Sequence, residues 1–146
     1  MTREQANANL ILDIRDAYNS YISAPSEELY CNMEALIFYA LGKDLAVPCV
    51  GRFKDHVGDL ELAVSVNKLN GRKYYVILTD EDYLLDGEIL ASIDLQELVG
   101  MILEDDEISG LVINPQMGKG CTIPENLFYH ALMAGIRYAR QMDAEN

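Results

Sequence analysis

The N-terminal part of the chain places its apolar side chains at helical spacing. Residues 9–22 repeat them every three or four positions, which predicts an amphipathic helix. The segment 23–26 contains Pro25 and interrupts this pattern. Ser26 is expected to cap a second helix, and Gly42 is expected to end it in the left-handed conformation. So short a connection predicts an antiparallel helix pair.

Strand patterns occupy the next part of the chain. Residues 45–50 predict a strand, which we expect at a sheet edge or beside a bulge because Pro48 has no N–H to donate. Apolar and polar residues alternate over 60–67, which is typical of a half-buried strand. Asn70–Gly71 then favours a type I′ turn, and residues 73–78 return as the partner strand.

Short elements follow this hairpin. Thr79–Asp82 resembles a capping box and predicts a brief helical turn that ends before Gly87. Residues 88–93 predict a short strand, and Asp94 is expected to cap the next helix. The acidic run 104–107 is expected in the loop after that helix, because negative charge is disfavoured near a helix C-terminus.

A buried strand with an abrupt end lies at the centre of the predicted fold. Residues 108–113 are mostly apolar, and Asn114–Pro115 ends the run. Thr122 is expected to open a final helix with Pro124 in its first turn, and the apolar stripe of that helix extends to Ala139.

The order of these elements predicts an α+β fold. We expect a mixed sheet of about five strands with an antiparallel hairpin, packed against helices, two at the N-terminus and one at the C-terminus. Neither an internal repeat nor a linker divides the sequence, so residues 1–146 are expected to form a single domain.

The composition limits the class of partner. Twenty-four acidic against 11 basic residues give a formal net charge of -13, which argues against nucleic acid as a ligand. No apolar run approaches the roughly 20 residues that cross a bilayer, and the polar start lacks a signal core. The cysteines are odd in number and widely spaced, so we expect reduced thiols in a cytoplasmic protein. The acidic surface suits a basic protein partner and is compatible with a homodimer.

Candidate chemistry is sparse in this sequence. Met117–Thr122 lies between a predicted strand and a predicted helix, but its glycine and lysine order does not match a phosphate-binding loop. Cys121 is expected near a helix start, where a thiolate would be stabilised. The histidines, His56 and His130, have no ligand-like neighbours at metal spacing. We therefore predict no cofactor and no metal site.

Three stretches resemble the N-terminal domain of the SseB family, named for enhanced serine sensitivity. They are the predicted edge strand with Val47–Pro48, the hairpin strand and acidic turn of Val76–Leu84, and the central Gly110–Pro115. The resemblance extends over about residues 26–135. It implies a non-enzymatic binding or regulatory module, and the family carries no established activity.

Function is expected where strands end. Open α/β sheets place ligands at strand ends, so the turn after residue 78 and the loop after residue 113 are expected to form a ligand or partner surface. Its residues are Thr79, Asp80, Asp82, Tyr83, Asn114, Pro115 and Lys119. One alternative is an acidic secretion-chaperone-like or immunity-type protein that masks a partner. The other alternative is a thiol-dependent enzyme that uses Cys121.

Overall fold

The computed structural model describes residues 1–54, 59–130 and 133. It has an α+β fold in which helices pack against a mixed sheet, as the sequence predicts. The helices are α1 (Arg3–Ser23), α2 (Glu27–Gly42), α3 (Leu95–Glu104) and α4, which begins with residues 125–130. The strands are β1 (Ala46–Lys54), β2 (Asp59–Leu62), β3 (Val64–Val66), β4 (Lys73–Ile77), β5 (Glu88–Asp94), β6 (Ile108–Ile113) and β7 (Cys121–Pro124).

The described part of the sheet has seven strands, where the sequence predicts about five. One predicted strand is divided into β2 and β3 at Ala63, and β7 replaces a predicted helix start. β5 pairs with one edge of β1, while β4 and β2 share the other edge. β6 is parallel to β4, and β7 is antiparallel to β6.

β1 and β4 diverge from a single pairing between Cys49 and Ile77. β2 pairs with the C-terminal half of β1, and β3 pairs with the N-terminal half of β4. β1 and β4 are antiparallel, so β2 and β3 run in opposite directions and the chain turns back at Ala63. The Ala63 N–H donates to Val50 O at 2.9 Å and holds this turn against β1. We call the two ribbons β1–β2 and β3–β4 the hairpin arms.

Two apolar clusters lie on opposite faces of the sheet. The larger contains residues of all the helices and includes Ile14, Ile37, Leu98 and Phe128, all fully buried. The smaller is built on strand residues such as Val76, with partial cover from the turns that follow β4 and β6. The helices therefore cover one face, and short turns cover the other.

Side-chain caps determine where the first two helices begin. α1 starts at Arg3 rather than near residue 9, because Thr2 and Gln5 form a capping box in its first turn. The prediction that Ser26 caps α2 is confirmed, since its Oγ accepts from the N–H of residue 29 at 3.1 Å. The prediction for Gly42 is wrong: it is the last helical residue, and Asp44 has the positive φ of 52°.

Pro48 does not mark an edge strand, because β1 has paired neighbours on both sides. Pro48 O accepts from Leu78 N–H at 3.1 Å, one residue beyond the end of β4. The N–H and C=O of one strand residue point to the same edge. The N–H that Pro48 lacks would therefore point to the place where the pairing with β4 ends. Proline is therefore tolerated within the sheet at this position.

The β3–β4 hairpin is confirmed, but its turn is not of the predicted type I′. Asn67 N–H donates to Arg72 O at 2.8 Å, and residues 68–71 form the loop. Within that loop Gly71 has a positive φ of 72°, whereas Asn70 does not. The Asn70 side chain instead accepts from the Arg72 N–H at 2.9 Å.

Asp80 rather than Thr79 caps the short turn after β4. Asp80 Oδ1 accepts from Asp82 N–H at 3.0 Å. The turn itself is a single 3₁₀ turn, Glu81–Tyr83, and is shorter than the predicted helical segment. Thr79 is used elsewhere, in a contact described below.

The predicted start of α3 is confirmed, because Asp94 is the N-cap residue of this helix. Asp94 precedes α3 without making a side-chain cap bond, because its carboxylate pairs with Arg3 at 2.7 Å. α3 includes Glu104, so residues 105–107 are the part of the acidic run that lies in the loop.

The predicted helix start at Thr122 is wrong, because Cys121–Pro124 forms β7 and helical residues begin at 125. Pro124 ends a strand at the sheet edge, where proline is accepted. Leu127 and Phe128 of the predicted stripe contact the core. The stripe positions from Ala131 to Ala139 lie outside the described residues.

Candidate functional site

The structure brings Thr79 and Asn114 into contact at the carboxyl ends of β4 and β6. The Asn114 side chain accepts from Thr79 N–H and donates to Thr79 Oγ1, both at 2.9 Å. Asn114 N–H donates to Ile77 O at 2.8 Å, which extends the β4–β6 ladder by one residue. We call Thr79–Tyr83 together with Asn114–Lys119 the strand-end surface.

Asn114 is fully buried, and its polar groups bond within the protein. It has the left-handed conformation, with φ 55°, which asparagine adopts more readily than most residues. Its carbonyl accepts from Met117 N–H at 3.1 Å across the 3₁₀ turn that Pro115 begins. The Tyr18 hydroxyl of α1 donates to Lys119 O at 2.6 Å and ties this loop to the helix layer. Asn114 and Pro115 therefore shape the surface rather than offer free groups.

The other members of the strand-end surface are more accessible. Asp80 is half-buried in its capping role, whereas Asp82, Tyr83 and Lys119 are exposed. A carboxylate, a phenol and an ammonium group are thus available for contact there.

A buried carboxylate lies beside this surface, and the sequence did not indicate it. The Glu88 side chain is 5% exposed. It accepts from Leu85 N–H and Gln116 Nε2, both at 2.8 Å, and from the Arg52 guanidinium at 3.2 Å. Burial raises the pKa of Glu88, but the bonds from Leu85, Gln116 and Arg52 outweigh burial, so the pKa is lowered overall. Glu88 therefore anchors β5 to β1 and to the turn after β6.

The two buried cysteines offer no activated thiol. Cys121 lies in β7 and is buried, so the expected position beside a helix N-terminus is wrong. Burial, with a smaller effect of the Glu34 carboxylate, raises the pKa of Cys121 to about 11. Burial also raises the pKa of Cys49 to about 12, while Cys31 is exposed on α2. Thiolate formation is therefore disfavoured at both buried sites.

A cavity of about 790 Å³ lies between the hairpin arms and beside the end of α3. We call it the hairpin cleft. The sequence predicts a half-buried strand here, but Leu60, Val64 and Val66 are 38%, 42% and 53% exposed. Among the described helices, α3 alone contributes to the lining, through Met101. The apolar lining consists of Leu60, Leu62, Val64, Val66, Tyr75, Met101 and Ile108.

Carboxylates border the hairpin cleft. Asp59 and Glu61 lie on β2, Asp105 and Glu107 lie in the turn after α3, and all four are exposed. The Lys73 ammonium also lines the cleft, 3.9 Å from the Glu107 carboxylate. The described part of the border therefore has a net negative charge, which favours a cationic ligand.

A second cavity, of about 500 Å³, opens at the same place on the other face of the sheet. Glu61, Leu62 and Val64 line both cavities, so the space between the arms can be approached from either face. Gln116 lines this second cavity, and its buried Oε1 has no hydrogen-bond partner among the described residues.

Over residues 1–54, 59–130 and 133, no cluster of His, Cys, Asp and Glu side chains is arranged to hold a metal ion. Nor does any helix there have the length and apolar character needed to cross a membrane.

No protein-family model matches the chain, and no curated protein or solved structure is detectably similar to it. The resemblance to the SseB family therefore stays a prediction.

Proposed function

We propose that this protein is a non-enzymatic cytosolic binding module that holds a basic, apolar segment of a protein partner in the hairpin cleft. The observation that carries the proposal is the exposure of Leu60, Val64 and Val66 within one acid-bordered cavity. Apolar residues exposed singly are ordinary, whereas a contiguous exposed group is typical of an interaction surface.

Charge selects the class of partner. Among the described residues, the cleft border carries four carboxylates and one ammonium group, on a chain whose net charge is -13. Nucleic acid and other polyanions are repelled by such a border. Lysine and arginine side chains combine an apolar stem with a cationic end, so a basic segment matches both the apolar lining and the acidic border of the cleft.

The strand-end surface provides a second candidate contact region for the same module. Its exposed residues include Asp82, Tyr83 and Lys119, and the contact between Thr79 and Asn114 holds the two loops together. Membership of the SseB N-terminal type is part of this proposal, because the resembling stretches supply the strand ends that carry this surface.

An acidic secretion-chaperone-like or immunity-type protein is the alternative, since the same cleft would mask a basic partner. That alternative calls for a homodimer, so native mass spectrometry of the purified protein separates the two: a strict monomer counts against it. A thiol-dependent enzyme receives less support, because burial raises the pKa of Cys121 to about 11.

Binding of a fluorescent peptide of alternating lysine and valine tests the proposal. We expect binding at low ionic strength that weakens as salt is added, because exposed charges are screened beyond about 10 Å at 0.1 M salt. Peptides with glutamate in place of lysine, or serine in place of valine, are expected to bind much more weakly. Fluorescence anisotropy measures all three.

Charge variants test whether the cleft border is the binding site. Asp59→Asn/Glu61→Gln is expected to weaken binding about fivefold, the effect of two exposed ion pairs of about 0.5 kcal/mol each. The matched control, Asp13→Asn/Glu28→Gln, removes two exposed carboxylates from α1 and α2 and is expected to leave the affinity unchanged.

Variants with less apolar surface test the apolar lining of the cleft independently of its charge. Val64→Thr/Val66→Thr keeps β-branched side chains but removes apolar surface, and it is expected to weaken peptide binding. Leu69→Thr, in the exposed hairpin loop, is its control. Equal affinities in all these variants, or failure of the lysine–valine peptide to bind at low salt, would exclude the hairpin cleft.

A further inference from the structure

β2 and β3 each pair along one edge and leave the other edge open. β2 pairs with β1, and β3 pairs with β4. Over the part of the chain that the structure describes, no strand pairs with their remaining edges. Both strands lie between the diverging β1 and β4, so the two open edges face each other across the hairpin cleft.

Backbone alternation identifies the unpaired groups of β2. Ala63 N–H points toward β1, where it donates to Val50 O. Successive residues of a strand direct their backbone groups to opposite edges. Leu60 and Leu62 therefore direct their N–H and C=O groups into the cleft.

The same alternation applies to β3. Asn67 N–H points toward the β4 side, where it donates to Arg72 O. Val66 and Val64, at one and three residues before it, therefore direct their backbone groups into the cleft. The hairpin cleft thus presents unpaired donors and acceptors from both sides.

Side chains on β2 are divided by chemistry between the two faces of the sheet. Leu62 packs against the larger apolar cluster, on the sheet face that the helices cover. Leu60, two residues earlier, lies on that face too. Asp59 and Glu61 alternate with them and lie on the other face. A strand placed beside β2 would meet apolar side chains on one face and carboxylates on the other.

We propose that the partner's segment binds as an added β-strand in the hairpin cleft, with apolar and basic residues in alternation. Its backbone pairs with an open edge of β2 or β3. Its apolar side chains lie on the helix-covered face of the sheet beside Leu60 and Leu62, and its cations lie on the other face beside Asp59 and Glu61. This inference rests on the proposed function and adds its binding mode.

Charge decides against a second copy of this chain as the occupant. Each copy has a net charge of -13, so two acid-bordered clefts would repel one another. A basic partner segment gains the opposite effect, because its cations approach carboxylates.

Peptides methylated on alternate backbone nitrogens test strand addition. Methylation of all the lysine nitrogens blocks one edge of the lysine–valine peptide, and methylation of all the valine nitrogens blocks the other. We expect at least one of the two forms to bind about tenfold more weakly than the parent, the loss of about two backbone hydrogen bonds. Pairing with both open edges would weaken both forms.

The outcomes separate this inference from the function on which it rests. If the parent peptide binds and both methylated forms bind as tightly as the parent, strand addition is overturned while the cleft remains the binding site. If the parent does not bind at low salt, the proposed function falls as well.

Amide hydrogen exchange gives an independent readout. Saturation with the peptide is expected to slow exchange at Leu60 and Leu62, or at Val64 and Val66, whose amides face the cleft. Ser65 is an internal control, because its amide already points toward β4. Unchanged exchange at all four positions would overturn the inference.

A second copy of this chain is the competing occupant of the hairpin cleft. A dimer that the lysine–valine peptide dissociates, and that Val64→Thr/Val66→Thr abolishes, would overturn the assignment to a basic partner. Sedimentation velocity of both proteins, with and without peptide, makes that measurement.

Discussion

The side-chain amide of Asn114 joins two parallel strand ends by bonding both the backbone and the side chain of Thr79. The position calls for an acceptor and a donor on one short side chain, at a residue whose φ is 55°. Aspartate lacks the donor, and alanine lacks both groups and is strained in this backbone conformation. Asparagine therefore satisfies the local geometry, and Pro115 then directs the chain away from the sheet.

Asn114→Ala is expected to lower the free energy of unfolding by about 2–5 kcal/mol. The loss combines an unpaired polar group at Thr79, at about 1–3 kcal/mol, with about 1–2 kcal/mol for alanine in the left-handed region. Urea denaturation followed by circular dichroism measures it.

Two variants separate these contributions. Asn114→Gly removes the side-chain bonds without the left-handed strain, so its loss is expected to be smaller than that of Asn114→Ala. Thr79→Val removes the hydroxyl contact alone and is expected to cost about 1 kcal/mol. A loss for Asn114→Ala no greater than that for Thr79→Val would contradict the role assigned to this contact.

Gly110→Ala and Gly100→Ala are expected to have opposite effects. Gly110 has φ 145°, and a Cβ there would overlap Ile123 O of the neighbouring β7. We expect a loss of about 3 kcal/mol or more, because backbone rather than a flexible side chain obstructs the new atom. Gly100 lies on the exposed side of α3 with open space around it, so alanine is expected to add about 0.5–1 kcal/mol. Similar urea midpoints for the two variants would refute this account.

Local sequence signals predicted the elements whose cause is local. Ser26 caps α2 because its hydroxyl reaches an amide within the same turn. Alternation and a glycine-containing loop predicted the β3–β4 hairpin, although Gly71 alone takes the positive φ that the type I′ turn requires of two residues. These contacts join residues close in sequence, which is why a short window contains enough information.

Predictions from the sequence are wrong where a strand distant in sequence determines the local structure. Pro48 indicated an edge strand, but the end of β4 lies opposite its missing N–H and allows β5 and β2 to flank β1. Pro124 indicated a helix start, but pairing with β6 extends the chain there instead. Neither partner can be identified from the residues next to the proline.

The candidate site was only partly predictable. Thr79 and Asn114 were expected to converge because both follow strands, but their buried contact depends on side-chain geometry. The hairpin cleft was missed because the alternation over residues 60–67 is the same whether a helix covers the strand or not. Helix cover depends on tertiary packing, and in the described structure α3 reaches the lining only through Met101.

Native alkylation is expected to modify one cysteine of three. Cys31 is exposed, whereas Cys49 and Cys121 are buried with pKa values raised to about 12 and 11. A thiol of pKa 11 is ionised to about one part in a thousand at pH 8, which adds to its protection by burial. Iodoacetamide treatment followed by peptide mass spectrometry is expected to label Cys31 alone, and all three in urea. Rapid labelling of native Cys121 would instead support the thiol-dependent alternative.

Glu88→Gln is expected to remove part of the acid sensitivity of the fold. The pKa of Glu88 is lowered in the folded protein, so its contribution to stability is present above its unfolded value of 4.5 and is lost as pH falls through the folded pKa. At neutral pH the variant is expected to lose about 1–3 kcal/mol, because bonds to a buried charged group are replaced by weaker ones. The difference from the parent should shrink as urea unfolding is repeated at pH values down to about 3. Asp94→Asn breaks an exposed ion pair with Arg3 and is the control, with an expected loss below about 1 kcal/mol. A difference for Glu88→Gln that stays constant with pH would show that the carboxylate does not stabilise the fold through its charge.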